Sequence, residues 1–296
     1  MSRVPSFQRI ALSLCLAAVF VLCGARSAHA SPGPGDDRLV STPTAWWMYN
    51  NISGSDLSTK LNDNHARLTD LRVVSTSPLL FSAVMVANSG VYSSGWWWYY
   101  GVTEAEVNNH LSANNARPIS IQGYASGSST HFAVVMVSNT GSAHRNWAWY
   151  YGTSSFIKDS RPSGYRPIML GNYINSSGDR NYTTIFVENT EGYTWGWYFN
   201  VTSSTIASLL NPYNSLIDAS ANDNDAMGIN IVFYENLPTP HGVVQGTTYY
   251  TISVGDMVSK ALADDARPLF LTQYTLHGSG TYDGYTQYLS SRRDNY

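Results

Sequence analysis

Trp46-Trp47-Met48-Tyr49, Trp96-Trp97-Trp98-Tyr99-Tyr100-Gly101, Trp147-Ala148-Trp149-Tyr150-Tyr151-Gly152 and Trp195-Gly196-Trp197-Tyr198-Phe199 are copies of one aromatic run, and Gly246-Thr247-Thr248-Tyr249-Tyr250 is a degenerate fifth. Their first positions lie 50, 51, 48 and 51 residues apart. A constant interval of this length marks a tandem repeat, in which each unit buries its apolar face against a neighbour. Tyr49, Tyr99, Tyr150, Tyr198 and Tyr249 form an unbroken column through the repeat.

Outward from each run the pattern continues. Thr103-Glu104-Ala105-Glu106 reads as a capping box, and Ser53 to Asp56 and Ser253 to Asp256 resemble it. The pairs Leu57/Leu61, Val107/Leu111 and Val258/Leu262 give one apolar side of a short helix. Pro162 cuts the third helix short and Pro212 ends the fourth, because proline lacks the amide that would continue the ladder. Ala66-Arg67-Leu68, Ala116-Arg117-Pro118, Tyr165-Arg166-Pro167 and Ala266-Arg267-Pro268 then open an alternating strand, and the fourth copy breaks this column with Ile217. A second strand follows, Phe81 to Asn88, Phe132 to Asn139, Tyr182 to Asn189 and Ile229 to Asn236, each ending in Asn before a turn of hairpin character.

The expected fold is an α+β tandem repeat over 44–290, five units each made of a three-stranded antiparallel meander plus one helix. The chain starts on an aromatic strand and ends after two strands, near 269–275 and 282–289. The strand at Trp46 is therefore expected to complete the last sheet and close a propeller-like ring; an open curved stack is the alternative.

Composition sets the compartment. Arg3 and Arg9 precede an apolar run from Ile10 to Gly24 and the triplet Ala28-His29-Ala30, a secretory signal with cleavage expected after Ala30. A flexible segment over 31–43 and a tail over 291–296 are expected to flank the repeats. Cys23 follows Leu22, where a lipidated cysteine wants a small residue before it. Both cysteines, Cys15 and Cys23, fall inside the signal, so no disulfide is expected in the mature chain. Charged residues are 12% and aromatic ones 13%, which places polar recognition on aromatic and hydroxyl groups in place of charges. Removing Arg3, Arg9 and Arg26 from 17 basic residues leaves 14 against 20 acidic ones, a formal charge of −6. Nucleic acid is not an expected partner, since phosphate binding needs a basic patch, and no later stretch is apolar enough for a membrane span.

With Gly101-Val102-Thr103, Asn115-Ala116-Arg117-Pro118, Gly123-Tyr124 and the aromatic runs in view, the sequence resembles the bacterial tandem repeat family. The same repeat occurs in the amino-terminal half of fungal polyglycine hydrolases. In those hydrolases a second, β-lactamase-like serine peptidase domain follows the repeats and holds the nucleophile. The resemblance covers roughly residues 40 to 290, is weakest in the fourth unit, and leaves no room for such a domain before Tyr296. It speaks for the repeat and not for an activity.

The residues offer no complete catalytic motif, and no cofactor is implied. Ser155-Phe156-Ile157-Lys158 matches S-x-x-K without the accompanying motifs, and Lys158 reads as a solvated helix face. His65, His110, His131, His144, His241 and His277 are scattered, with His65 and His110 at helix ends. Asp218 to Asp225 alternates oxygens in a way that makes Asp223 and Asp225 a calcium candidate, but it lacks the glycine and terminal acid of a calcium loop. Arg67, Arg117, Arg166 and Arg267 read as structural anchors at the helix-to-strand corner.

Along the aromatic strands Trp96, Trp98 and Tyr100 share one face and Trp97 and Tyr99 the other. One face must be core, and the other is expected to carry Trp47, Tyr49, Trp97, Tyr99, Tyr150, Tyr198 and Tyr249 as ligand-binding positions. The leading expectation is a secreted non-catalytic protein that binds a glycan, a cell-wall polymer or a glycine-rich peptide. The alternatives are a secreted hydrolase with its site in a central channel or inter-repeat groove, and a scaffold or inhibitor of another secreted protein.

Overall fold

The computed structural model describes residues 45–90, 93–209, 214–222, 228–235, 245–249, 254–263, 266–276 and 282–291. Every unit runs aromatic strand, helix, inner strand, central strand. The first is β1 (Trp46–Ile52), α1 (Gly54–Asp63), β2 (Ala66–Thr76) and β3 (Leu79–Ala87), and the second is β4 (Trp96–Val102), α2 (Glu104–Ala113), β5 (Ala116–Ser126) and β6 (Ser129–Ser138). The third holds β7 (Trp147–Gly152), α3 (Ser154–Asp159), β8 (Tyr165–Ile174) and β9 (Arg180–Glu188); the fourth holds β10 (Thr194–Val201), α4 (Ser203–Leu209), β11 (Asn214–Ala221) and β12 (Ile229–Glu235). The fifth is β13 (Gln245–Tyr249), α5 (Val254–Ala263), β14 (Ala266–Leu276) and β15 (Tyr282–Ser291).

Five three-stranded antiparallel sheets result, ordered β1-β3-β2, β4-β6-β5, β7-β9-β8, β10-β12-β11 and β13-β15-β14. This corrects the expected meander. A helix returns the chain to the starting side, so β2 runs parallel to β1, as crossover connections require. The gap between them is filled by β3, folded back from β2 as a hairpin. The same pairing corrects the expected completion of the last sheet: β1 lies in its own sheet, with Trp46 opposite Val86 and Tyr49 opposite Ala83, and β13 fills that place in the fifth.

The asparagine turns are likewise not hairpins, because β4 pairs with β6 and not with β3. Asn88 instead clamps the residue two before the next aromatic strand, its Oδ1 accepting from Ser94 N at 2.9 Å and its Nδ2 donating to Ser94 O at 3.1 Å. Asn139 holds Arg145 in the same two-point way, and Asn189 holds Tyr193. Side-chain amides thus replace a strand pair exactly where the chain passes from one unit to the next.

Helix starts follow the sequence closely. Ser53 Oγ accepts from Asp56 N at 3.1 Å, and Thr103 with Glu106 forms a reciprocal capping box. Thr153 caps α3, which stops at Asp159, ahead of Pro162. Ser253 lies outside the described residues. Each inner strand carries a bulge, at Thr69, Ile119, Ile168, Ile217 and Leu269. Ile217 is therefore the bulge residue, and the place of the repeat arginine in the fourth unit belongs to Ser215, which lies opposite Tyr234 as Arg166 lies opposite Val187.

The cores lie between units. Val107 and Leu111 of α2 join Phe132, Val134 and Met136 in one cluster with Ile168, Met169, Ile185 and Val187 of the third unit. Comparable clusters join the first unit to the second, the third to the fourth and the fourth to the fifth. A further cluster brings Trp46, Met48, Val84 and Val86 of the first unit against Val258, Ala261 and Leu271 of the fifth. The inner strands touch in the succession β2, β5, β8, β11, β14, and β14 also touches β2 and β3. Glycine permits one of these approaches: a Cβ at Gly123 would stand 2.6 Å from the Tyr173 ring of the next unit.

Candidate functional site

The two faces of each aromatic strand have different neighbours. Tyr99 turns toward its own helix, where its ring stacks on His110 with centroids 3.7 Å apart and its hydroxyl accepts from Asn114 Nδ2 at 3.3 Å. Tyr49 meets Asn64 in the same way at 3.5 Å, and both Trp47 and Tyr49 are only 7% exposed. Trp97 and Tyr99 are half-buried against α2. In the first three units the tyrosine column thus lies on the face turned toward the unit's own helix; Trp47 and Tyr49 are buried there, contrary to their expected display, whereas Trp97 and Tyr99 stay partly exposed. Tyr150 makes edge contacts with Phe156 and Phe186, and Tyr198, stacked on Phe233, is 40% exposed. The Tyr249 side chain lies outside the described residues.

The opposite face packs on the preceding unit and repeats a three-ring arrangement. Phe81 meets Trp98 and Tyr100, and Phe132 meets Trp149 and Tyr151. In the third unit Tyr182 meets Phe199 while Phe186 meets Trp197. Edge-to-face geometry dominates these contacts, as the ring quadrupoles favour. Sequence reasoning did not single out these rings as site residues. Their signal was the second register of the same aromatic run, and only the position of the helix decides which register faces outward at the junction.

Two junctions open into clefts of the size that takes small ligands. Between units two and three, Glu104 and Asn108 of α2 face Trp149, Tyr150 and Tyr151 across about 560 Å³, with Phe156 at the rim. Trp149 Nε1 donates to Asn108 Oδ1 at 3.0 Å, and the Tyr151 hydroxyl donates to Glu104 Oε2 at 2.8 Å. That hydrogen bond, with some burial, pushes the Tyr151 phenol up to about 12. Between units three and four, a cleft of about 660 Å³ is lined by Lys158, Arg161, Tyr193, Trp195, Trp197 and Tyr198. Here the Lys158 ammonium stands 4.9 Å from the Phe199 ring centroid, and the Arg161 guanidinium 5.3 Å from that of Trp195.

The other sequence candidates are placed elsewhere. Ser155 Oγ shares a hydrogen bond of 3.1 Å with Thr153 Oγ1 at the start of α3, while Lys158 points to Phe199, so the S-x-x-K match forms no pair. His110 is the stacking partner of Tyr99, and His65 follows α1 with a positive φ of 46°. Asp223, Asp225, His241 and His277 lie outside the described residues. Arg67, Arg117 and Arg166 are buried. Arg166 reaches into the fourth unit, donating to the Tyr234 hydroxyl, with its guanidinium 5.2 Å from the Tyr193 ring centroid and 4.9 Å from that of Tyr234. The Arg267 side chain lies outside the described residues.

A buried ionic group sits among the inner strands. Arg72 donates through Nε to Asp70 at 3.1 Å and through Nη2 to Asp218 Oδ1 at 2.5 Å, joining the first unit to the fourth. Burial alone would favour a neutral guanidine, but Asp218 and Asp70 outweigh it and hold Arg72 charged well above its ordinary range. Ser120 Oγ donates to Asp70, and Leu170 N donates to Asp218 Oδ2 at 2.8 Å. Asp70, Arg72, Ser120, Met169, Asp218, Phe270 and Thr272 are all buried. Alternating charges inside an apolar strand, Leu68-Thr69-Asp70-Leu71-Arg72, were the available signal.

No curated protein matches the chain. A family model described as polyglycine hydrolase-like, structural repeat, matches residues 93–139 and 154–189. The first match begins just before β4 and ends on Asn139, the clamp residue, and therefore covers one structural unit as the sheets define it. The second unit, and the third from α3 onward, thus match a polyglycine hydrolase-like structural repeat, within a chain built of repeated three-stranded sheets.

Proposed function

We propose that the protein is a secreted, non-catalytic repeat protein that binds an extracellular polymer, a glycan or a glycine-rich peptide, in aromatic clefts at its unit junctions. The observation that carries this reading is the recurrence of an open cleft at two successive junctions, each floored by half-exposed indole and phenol rings with polar groups at its sides. Aromatic faces bind flat apolar surfaces in water while their polar edges find hydrogen-bond partners. Sites one repeat apart suit a ligand that itself repeats, and weak contacts at each then combine through effective concentration. Secretion rests on the amino-terminal signal over 1–30.

The same proposal includes closure of the five units into a propeller-like ring. Its support is that Trp46 and Met48 occupy the strand face which in later units packs on the preceding unit, and that they meet α5 and β14. The first unit so finds its preceding neighbour in the fifth.

The experiment is a pull-down of the purified protein on insoluble polysaccharides, cell walls and immobilised glycine-rich peptide, with mass spectrometry of the ligand before and after. Retention with unchanged ligand is expected. Trp149→Ala and Trp197→Ala, each checked for an unchanged circular dichroism spectrum, should each weaken retention, and together should abolish it. Retention indifferent to both changes removes the clefts from the reading, and a shortened ligand replaces it with a hydrolase.

A further inference from the structure

We infer that the cleft between units three and four selects an acidic polysaccharide, one whose sugar rings carry carboxylates. The inference rests on the polymer-binding reading above and names the ligand class of one of its clefts.

Trp195, Trp197 and Phe199 share one face of β10, and the two cations of α3 and its following turn are laid over the ends of that row: Arg161 on Trp195 and Lys158 on Phe199. Trp197 lies between the two and lines the cleft with both. Lys158 and Arg161 are exposed, and neither forms an ion pair with a carboxylate among the described residues. Of the acids close in the chain to the cleft residues, Glu191 holds Arg145 at 2.7 Å and approaches Arg166 at 3.6 Å, and the exposed Asp159 of α3 forms an ion pair with neither cleft cation. A guanidinium engaged by a ring face still has N–H groups to give, and its planar fork binds a carboxylate through two parallel hydrogen bonds. The cation–π contact also restrains the cation before the ligand arrives, which lowers the ordering cost of binding.

The neighbouring junction provides the contrast. There Asn108 stands at the helix position of Lys158, and the cleft between units two and three also carries Glu104, which is taken up by Tyr151. One aromatic floor thus appears with an anion and an amide at one junction and with two cations at the next. Against a mature charge of −6, two cations, one over an indole and one over a phenyl ring and neither in an ion pair among the described residues, are a local reversal of the protein's field, and an anionic ligand is what that reversal attracts. A sugar acid meets both halves of the site, since its ring stacks on an indole while its carboxylate takes the fork. An acidic peptide would use the cations and leave the row of rings without a flat partner.

The test is isothermal titration of the purified protein with oligomers of galacturonate, mannuronate and hyaluronan, each beside its methyl ester, with neutral cello- and chito-oligosaccharides and an oligoglutamate peptide of matched charge. At least one acid oligomer should bind about tenfold or more tightly than its ester, the value of one lost charge-assisted bond, and should weaken as salt is raised. Lys158→Glu with Arg161→Glu should remove that preference while leaving the circular dichroism spectrum and neutral-sugar binding at the other cleft unchanged. Equal binding of acid and ester overturns the inference and leaves polymer binding standing. Oligoglutamate as good as the best sugar acid overturns it in favour of a peptide. Binding of none of the acids overturns it, and retention in the pull-down on cell walls and glycine-rich peptide then decides the polymer reading separately.

Discussion

Asp218 serves two partners from one buried carboxylate: Oδ1 accepts from Arg72 and Oδ2 from the backbone amide of Leu170, so it links the first, third and fourth units. Neither partner reaches water, and a buried donor deprived of its acceptor forfeits its full desolvation cost. Asp218→Ala should therefore destabilise by about 3 kcal/mol, since it strips one carboxylate from a buried guanidinium and bares an amide. Replacing Asp70, Arg72 and Asp218 together by Leu, Met and Leu should cost less than that single change, because no charge is then left without its counter-ion. Urea unfolding of the two variants checks the order, and a triple variant weaker than the single one would show that the ionic group contributes net stability. Asp70 and Arg72 could be noticed in the sequence as charges in an apolar strand. Their partner could not, because Asp218 is 146 residues from Arg72 and only the packing of inner strands brings them together.

At the scale of single elements, α2 owes its start to Thr103 and Glu106, each of which satisfies a backbone amide of the other. Thr103→Ala should cost about 1 kcal/mol, the usual value of a lost cap. Glu106 adds a pH signature. The Thr103 amide and hydroxyl hold its carboxyl below the ordinary range. A depressed folded-state value contributes stability above the unfolded-state value, and the contribution is lost as pH falls through the folded-state value. Glu106→Gln should thus be less stable than the parent at pH 7 and converge with it as the solution is acidified through the carboxylate range, a comparison that thermal melts at several pH values can make. A difference that stays constant with pH would detach the cap from the Glu106 charge. Such caps were legible in the sequence because the letters that form them are three residues apart. Strand order was not. β1 followed by a helix and two strands fits both a meander shared between units and the observed β1-β3-β2 sheet, and the choice is made by pairings that no local pattern encodes. The aromatic strands were ambiguous for a related reason: both of their faces are covered, one by a helix and one by the preceding unit, so alternation alone could not say which rings stay accessible.

Over the whole molecule, a row of units has two ends whose apolar faces need covering, and repeat proteins usually meet this with atypical caps. Here the first unit is not atypical on its outer face: Trp46 and Met48 stand where Trp96 and Trp98, or Trp147 and Trp149, pack on a preceding unit. Such a face left in water would expose an indole and a thioether beside Val84 and Val86, whereas against Val258, Ala261 and Leu271 all four are buried. If the ring is closed, Trp46 and Val258 share one interface although 212 positions separate them in the chain. Trp46→Ala and Val258→Ala should then be non-additive in chemical unfolding, with an interaction energy on the order of 0.5–3 kcal/mol, the range for residues in contact. Removing β1 should also lower the stability of α5 and β14 as read by hydrogen exchange, since a closed ring has no terminal unit that can loosen alone. Additive single changes, with protection of the fifth unit intact after loss of β1, would make the protein an open stack, and each cleft would then have to bind without the neighbouring junctions being held at fixed spacing around a ring.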